Sequence, residues 1–358
     1  MSINYVVAVI GCGRIAKLAH FPALSKIDGV RIKYACDIIP EKAEEVKAKY
    51  PDVVENVITD YRVALEDPEV ESVFVLTPNF AHYTITMDAL RAGKHVMCEK
   101  PITVNYDLSA EMAQEADKQG KILNIGVCNR YNAVVERLAE MYKNGDFGNI
   151  YHVYCSFRSF RSIPGLGGDF TTKSQSGGGV LIDWGVHYLD LILYILGSPK
   201  IKNVTCDSYS EMAKDMNSYK YVDMWAEDTM DLDGTNDVDD YITGHIRTDK
   251  ASVSFNGAWA QNINKNEMFI DFLGDKGGAR LTYCGKFEYY TVDADGKFVT
   301  ETPEYDIPNM YAREDGAFLD AILTGEHTRT HIENILESAH LLDALYASAE
   351  AKKELTLA

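Results

Sequence analysis

Short, continuously apolar runs alternate with amphipathic stretches through the first third of the chain. Tyr5–Ile10, Val30–Cys36 and residues 71–76, 95–98 and 122–127 have the length and apolar character of strands buried on both faces. Between them, residues 41–50, 80–92 and 107–119 read as helices, the last two stopping at Gly93 and Gly120. This βαβαβ order predicts an α/β fold, with a doubly wound parallel sheet and helices on both faces. After Gly126 the pattern changes. Residues 132–142 read as a helix, and 150–160 alternate: Tyr151, Val153, Cys155 and Phe157 against His152, Tyr154, Ser156 and Arg158. Further strand-like runs at 201–207, 240–247, 251–259, 267–273 and 279–283, with few helices between them, predict an antiparallel or mixed sheet. Helices are expected near 313–323 and 331–351, and the polar, acidic stretch 212–236 as a long connection. Domains are expected at 1–126 and 127–358.

Length and charge narrow the picture. The 358 residues suit about two domains. Lysine and arginine number 35 against 54 aspartate and glutamate, a net charge of −19, which argues against nucleic acid or an anionic membrane as a main partner. The first apolar run has no basic region before it and no small-residue cleavage site after it. The most apolar stretch, 180–196, is interrupted by Asp183, His187 and Asp190. A cytoplasmic location is expected. The seven cysteines (Cys12, Cys36, Cys98, Cys128, Cys155, Cys206 and Cys284) form no CxxC pair and read as reduced, mostly buried thiols.

Candidate chemistry begins with Gly11–Cys12–Gly13–Arg14–Ile15–Ala16, a GxGxxA turn directly after a strand and opening a helix. The first glycine permits the tight turn, the second lets backbone approach a pyrophosphate, and the alanine lets the helix pack on the sheet. Free N–H groups at the helix start then receive the pyrophosphate. Asp37, 24 residues after Gly13, ends the second strand where a carboxylate accepts hydrogen bonds from the adenosine ribose. Its charge repels a 2′-phosphate, and Ile38 and Ile39 offer no compensating cation, so NAD is favoured over NADP; Lys42 keeps NADP open.

Glu99–Lys100–Pro101 follows the strand at 95–98, at the end of an open α/β sheet where ligands bind. A lysine there is able to stabilise the alkoxide character of hydride transfer; otherwise it is a surface lysine. Asp183, His187 and Asp190 are spaced to share one face of an apolar helix. A histidine near its titration point suits exchange of a hydroxyl proton, with a carboxylate orienting the ring; an internally satisfied Asp–His pair is the alternative. No metal is needed, and no ligand cluster with convincing spacing is visible.

GCGRIA at 11–16, TPNFAH at 77–82, CEKP at 98–101, GVCNRY at 126–131 and GGGVLIDWGVHYLD at 177–190, in this order, resemble the glucose–fructose oxidoreductase/inositol dehydrogenase/MocA-like (Gfo/Idh/MocA) family over nearly the whole chain. The resemblance implies a Rossmann domain followed by a substrate domain with a large open sheet, used for homodimer or homotetramer contacts. It implies Lys100 as catalytic lysine, His187 as proton-transfer histidine, and Asp183 as the aspartate that binds substrate and orients the site. It implies Asp190 and Arg130 as contacts to sugar or inositol hydroxyls. Thr77, Pro78, Asn79 and His82 match the loop beside the nicotinamide, and Glu99 a position near the nicotinamide ribose. His82 alternatively caps or packs its helix, and Arg130 alternatively pairs with a carboxylate. Arg158, Arg161 and the glycine-rich loop 163–170 read either as a flap over the substrate or as a surface connection. Trp259 reads either as a stacking face for a sugar or as packing. The expected function is NAD(P)-dependent hydride transfer at a secondary hydroxyl of a sugar, cyclitol or glycoside. The alternatives are an NAD-dependent glycosidase working through transient oxidation, and a non-enzymatic NAD-binding regulator. The ammonium and the imidazole are expected to meet over the reactive ring of the coenzyme.

Overall fold

The computed structural model describes residues 5–222, 230–283 and 285–357; Cys284 and part of the connection at 212–236 lie outside them. The chain divides into two compact units, 5–131 with 308–336, and 132–307 with 337–357. This differs from the division expected after residue 126. The boundary falls after Tyr131, and the second unit is not continuous, because 308–336 returns to the first.

In the first unit, β1 (Tyr5–Ile10), β2 (Val30–Cys36), β3 (Val54–Ile58), β4 (Ser72–Val75), β5 (His95–Glu99) and β6 (Leu123–Gly126) form one parallel sheet in the order β3-β2-β1-β4-β5-β6. Every residue of β1, β4 and β6 is buried, as the continuous apolar runs require of a sheet covered on both faces. The chain steps to β2 on one side of β1 and returns to β4 on the other. That reversal places the loops after β1 and β4 side by side, the position at which open α/β sheets bind ligands. The edge strand β3 was not expected from the sequence. Helices α1 (Phe21–Leu24), α2 (Pro40–Lys49), α3 (Arg62–Glu66), α4 (Asn79–Arg91) and α5 (Tyr106–Gln119) complete the crossovers. Ahead of α1 the helix widens into a π-type turn over Ala16–His20. Pro22 lacks an N–H and its ring excludes a carbonyl one turn back, and the widened turn accommodates both.

In the second unit, α6 (Ala133–Asn144), α7 (Lys173–Ser176) and α8 (Val186–Ile195) accompany a nine-stranded sheet. Its strands are β7 (Ile150–Arg158), β8 (Ile201–Tyr209), β9 (Tyr241–Thr248), β10 (Ser252–Ala258), β11 (Glu267–Gly274), β12 (Gly278–Thr282), β13 (Phe287–Val292), β14 (Phe298–Glu301) and β15 (Leu355–Thr356), in the order β14-β13-β12-β11-β7-β10-β9-β8-β15. All pairs are antiparallel except β7 with β10. Val153, Cys155, Phe157, Val253, Phe255, Ile270 and Phe272 point into the core, and their alternates form the outer face. The apolar run 173–195 is long enough to cross a membrane, yet 78% of its most apolar window is buried inside this unit. After β14, α9 (Met310–Thr324) belongs to the first unit and α10 (Leu336–Ala351) almost wholly to the second. The six described cysteines are buried and unbridged; burial pushes the thiols of Cys12, Cys36 and Cys98 up to about 12, so they are inert at neutral pH.

Candidate active site

The glycine turn after β1 has the shape a dinucleotide needs. Gly11 sits at φ +97°, and a Cβ there would lie 2.5 Å from the Leu76 carbonyl oxygen, so only glycine lets the loops after β1 and β4 pack together. A Cβ on Gly13 would meet nothing within 4 Å, so this backbone faces open space where a pyrophosphate would lie. Arg14 is exposed and Ile15 half-buried at the helix start. Asp37 Oδ2 accepts the Cys12 N–H at 2.9 Å and Oδ1 accepts the Ile39 N–H at 2.9 Å. These bonds fix the carboxylate and leave each oxygen another lone pair for a ribose hydroxyl. Ile38, which sequence reasoning treated only as uncharged, is 87% exposed beside Asp37, an apolar platform for a purine.

The loop after β4 carries Thr77, Pro78 and Asn79, with Pro78 capping α4. Thr77 Oγ1 is buried with no hydrogen-bond partner among the described residues, as a hydroxyl meant for a ligand would be. Both features fit a nicotinamide dinucleotide. His82, expected beside the cofactor, lies fully inside. Its Nδ1 faces the Pro101 carbonyl and its Nε2 the Thr77 carbonyl, each at 2.8 Å. It therefore ties the loop after β4 to the cis Lys100–Pro101 turn, in line with the packing alternative. Its role is positioning.

Lys100 follows β5 and is half-buried. Beside it, Glu99 is almost wholly buried; Oε2 accepts the Lys100 N–H at 3.0 Å and Oε1 lies 3.0 Å from His20 Nε2. His20 Nδ1 lies 3.0 Å from Asp315 of α9. A Cβ on Gly126 would come within 2.8 Å of Glu99 Oε1, so glycine there makes room for the carboxylate. Burial alone would push His20 down, but the Asp315 and Glu99 carboxylates hold the imidazole well above its ordinary value. Burial raises Asp315 despite His20. No local signal in the sequence marks His20 and Asp315, which lie 295 residues apart.

In the second unit, residues Leu181–Gly185 form another π-type turn, and α8 follows. Such widened turns recur at functional sites. Asp239, unmarked in the sequence analysis, holds the start of this segment. It accepts the Gly179 and Leu181 N–H groups at 2.8 and 3.0 Å, and the Tyr346 hydroxyl at 2.9 Å. Burial raises its carboxyl above the usual range against these bonds. Asp183 Oδ2 accepts the Trp259 indole N–H at 3.2 Å. His187, half-buried, has Tyr283 at 6.2 Å between ring centroids, and Tyr283 stacks on Tyr188. Asp190 separates from the other two. It is buried and accepts the Ser338 hydroxyl of α10 at 2.7 Å. The widened turn breaks the regular spacing that would have put all three on one face.

Three other candidates are committed to the protein itself. Trp259 is fully buried, so its ring face is unavailable to a sugar and its part is to pack and to hold Asp183. Arg130, also buried, donates to the carbonyls of Arg329 and Asn334 at 2.9 and 3.1 Å. Arg161 donates to the carbonyls of Phe160 and Gln261 and to Asn262 Oδ1. The loop 163–170 is neither a free flap nor a surface connection at its centre. Ile163 and Leu166 are buried, and the Leu166 carbonyl accepts the Asp231 N–H. Against the expectation of no ligand cluster, His327, His331 and Glu333 do come together.

A glycine turn at the switch point, an acid closing β2 and a lysine closing β5 define the first unit as the nucleotide-binding part of a nicotinamide-dependent dehydrogenase. Comparison with known proteins gives the same answer. Residues 5–127 match the model of an oxidoreductase family with an NAD-binding Rossmann fold, and residues 135–280 that of the GFO/IDH/MocA C-terminal domain. The D-glucoside 3-dehydrogenase of Escherichia coli (strain K12) is 30% identical over 347 residues, 96% of this chain and 95% of its own. The myo-inositol 2-dehydrogenase of Thermotoga maritima is 30% identical over 201 residues, 56% of this chain and 57% of its own. Among solved structures, a levoglucosan dehydrogenase in complex with NADH and levoglucosan superposes with a TM-score of 0.84 at 22% identity, covering 99% of both chains. The chain belongs to the Gfo/Idh/MocA oxidoreductase family. It is an NAD(P)-dependent oxidoreductase of the sugar and inositol dehydrogenase type.

Proposed function

We propose that this enzyme oxidises a secondary hydroxyl of a glucoside, or reduces the corresponding ketone, with NAD as its coenzyme. The observation that carries the reading is the similarity to the D-glucoside 3-dehydrogenase along almost the full length of both chains. Half-length relatives, the inositol dehydrogenases among them, give the substrate domain less support. When bound, NAD supplies the hydride acceptor. Lys100 holds the reacting oxygen and stabilises its developing negative charge. A ring nitrogen of His187 takes the hydroxyl proton, and Asp183, steadied by Trp259, orients the histidine or the sugar. Asp190 and Arg130 act from behind, one setting α8 against α10 and the other fixing the segment after α9. The partly exposed Tyr154 and Phe269 on the outer face of the nine-stranded sheet suit a homo-oligomeric contact.

The test is NADH formation by the full-length protein across alkyl glucosides, free sugars and inositols, with product analysis alongside. Glucosides are expected to give the highest kcat/KM, with one keto-glycoside per NADH. Cleavage of the glycosidic bond without NADH build-up would instead establish the glycosidase alternative. NADH binding with no turnover on the panel would leave only a regulator.

Coenzyme choice is tested at Asp37. Hydrogen bonds to a charged group are worth about 1.5–3 kcal/mol, so Asp37→Ala is expected to raise KM for NAD by roughly tenfold or more. Removal of the charge also lowers KM for NADP. Unchanged preference between the two coenzymes would remove Asp37 from the ribose site.

A further inference from the structure

The segment after α9 gathers three metal-ligating side chains that the dehydrogenase reading does not use. His327, His331 and Glu333 bring one ligand atom each to within 4.8 Å of one another. Nδ1 of His327 lies 3.4 Å from Glu333 Oε2, and Nδ1 of His331 lies 3.6 Å from the same oxygen. The two imidazoles stack, with centroids 3.6 Å apart and planes 12° from parallel. A charge-assisted hydrogen bond would close these gaps to about 2.7–2.9 Å. The carboxylate instead stands back near the spacing of two ligands on one tetrahedral ion, roughly 3.4 Å for metal–ligand bonds of about 2.0–2.1 Å.

A second observation singles out this cluster. His331 is 5% exposed, and its Nδ1 is buried without a hydrogen-bond partner while directed at Glu333. A buried ring nitrogen left in that state is costly unless something else takes its lone pair. The backbone around it is held firmly. Ile125 N–H donates to the Thr330 carbonyl at 2.9 Å, and Asn124 Nδ2 to Thr328 Oγ1 at 2.7 Å. Asn334 Nδ2 donates to the Thr328 carbonyl, and Arg130 grips the carbonyls of Arg329 and Asn334. His327 and Glu333 are exposed, which gives an ion a way in from solvent.

We propose that His327, His331 and Glu333 bind one divalent transition metal ion of the zinc class. Two imidazoles and one carboxylate suit Zn²⁺, Co²⁺ or Ni²⁺; Mg²⁺ and Ca²⁺ prefer sites built wholly of oxygen. Water completes the coordination. The ion cross-links the two ends of the segment whose carbonyls Arg130 holds, so it stabilises the first unit and takes no part in hydride transfer.

Untagged full-length protein, stripped with EDTA, is titrated with ZnCl₂ by calorimetry and with CoCl₂ by visible absorption. One equivalent per chain is expected to bind, with a cobalt d–d band that excess MgCl₂ leaves in place. His327→Ala and Glu333→Gln, both at exposed positions, are each expected to weaken Zn²⁺ binding by at least about tenfold, since even outer partners of a metal site carry that much. His340→Ala, outside the cluster, leaves it unchanged. Zn²⁺ raises the thermal midpoint of the parent protein and not of the two variants. No saturable binding by the parent, or equal affinity in His327→Ala and Glu333→Gln, overturns the site. Turnover on glucosides in metal-free buffer is untouched by either variant, so failure here is separable from failure of the dehydrogenase reading.

Discussion

Lys100→Ala is expected to lower kcat by about 10²–10³-fold, the usual loss when a preorganised donor to a developing oxyanion is removed. NAD affinity should stay close to that of the parent enzyme, because the pyrophosphate and ribose positions belong to Gly13 and Asp37. His187→Ala is expected to cost about 10²–10⁴-fold, the range for a general acid–base. The two losses should be far from additive, since both act on one O–H bond in one step. The checks are steady-state kinetics on an alkyl glucoside and NADH titration followed by fluorescence. Weakened NAD binding with unchanged turnover would reverse the assignment, making Lys100 a coenzyme ligand.

The second large effect is on stability. His20→Ala is expected to destabilise the protein by about 3–5 kcal/mol, because it strands the Glu99 and Asp315 carboxylates in the interior without their cation. The pH dependence follows from the raised value of His20. A histidine protonated more readily in the fold contributes its full stabilisation below its ordinary value of 6.5, and loses it as pH climbs through the elevated folded value. Urea unfolding of parent and variant at several pH values should therefore show the largest gap in mildly acidic buffer and a shrinking one in alkaline buffer. Equal midpoints across that range would mean that His20 is neutral and merely packed.

What the sequence reveals tracks how local each cause is. The buried strands of the first sheet announce themselves as apolar runs, and the strand–glycine–helix order with Asp37 locates the nucleotide turn. β3 was missed because it is an edge strand with two exposed polar residues at its centre, Glu55 and Asn56. β13 and β14 were missed at the far edge of the second sheet, where β14 has no buried residue and little apolar signal. The long-range partners were invisible for a different reason. Asp239 beneath Gly179, and Asp315 beside His20, are joined by folding and not by spacing. The shared face assumed for Asp183, His187 and Asp190 follows from an ideal helical period, which the π-type turn over Leu181–Gly185 interrupts. Trp259 shows the converse: the strand was read correctly, but which of its faces is buried depends on the sheet around it.

The return of residues 308–336 to the first unit also sets a timetable for synthesis. The glycine turn and five of its neighbouring crossovers leave the ribosome early, yet the carboxylate that completes the charge around His20 is translated only after residues 132–307. Until then the nascent dinucleotide half carries a buried acid and imidazole without their third member, and waits on the last tenth of the message to become whole.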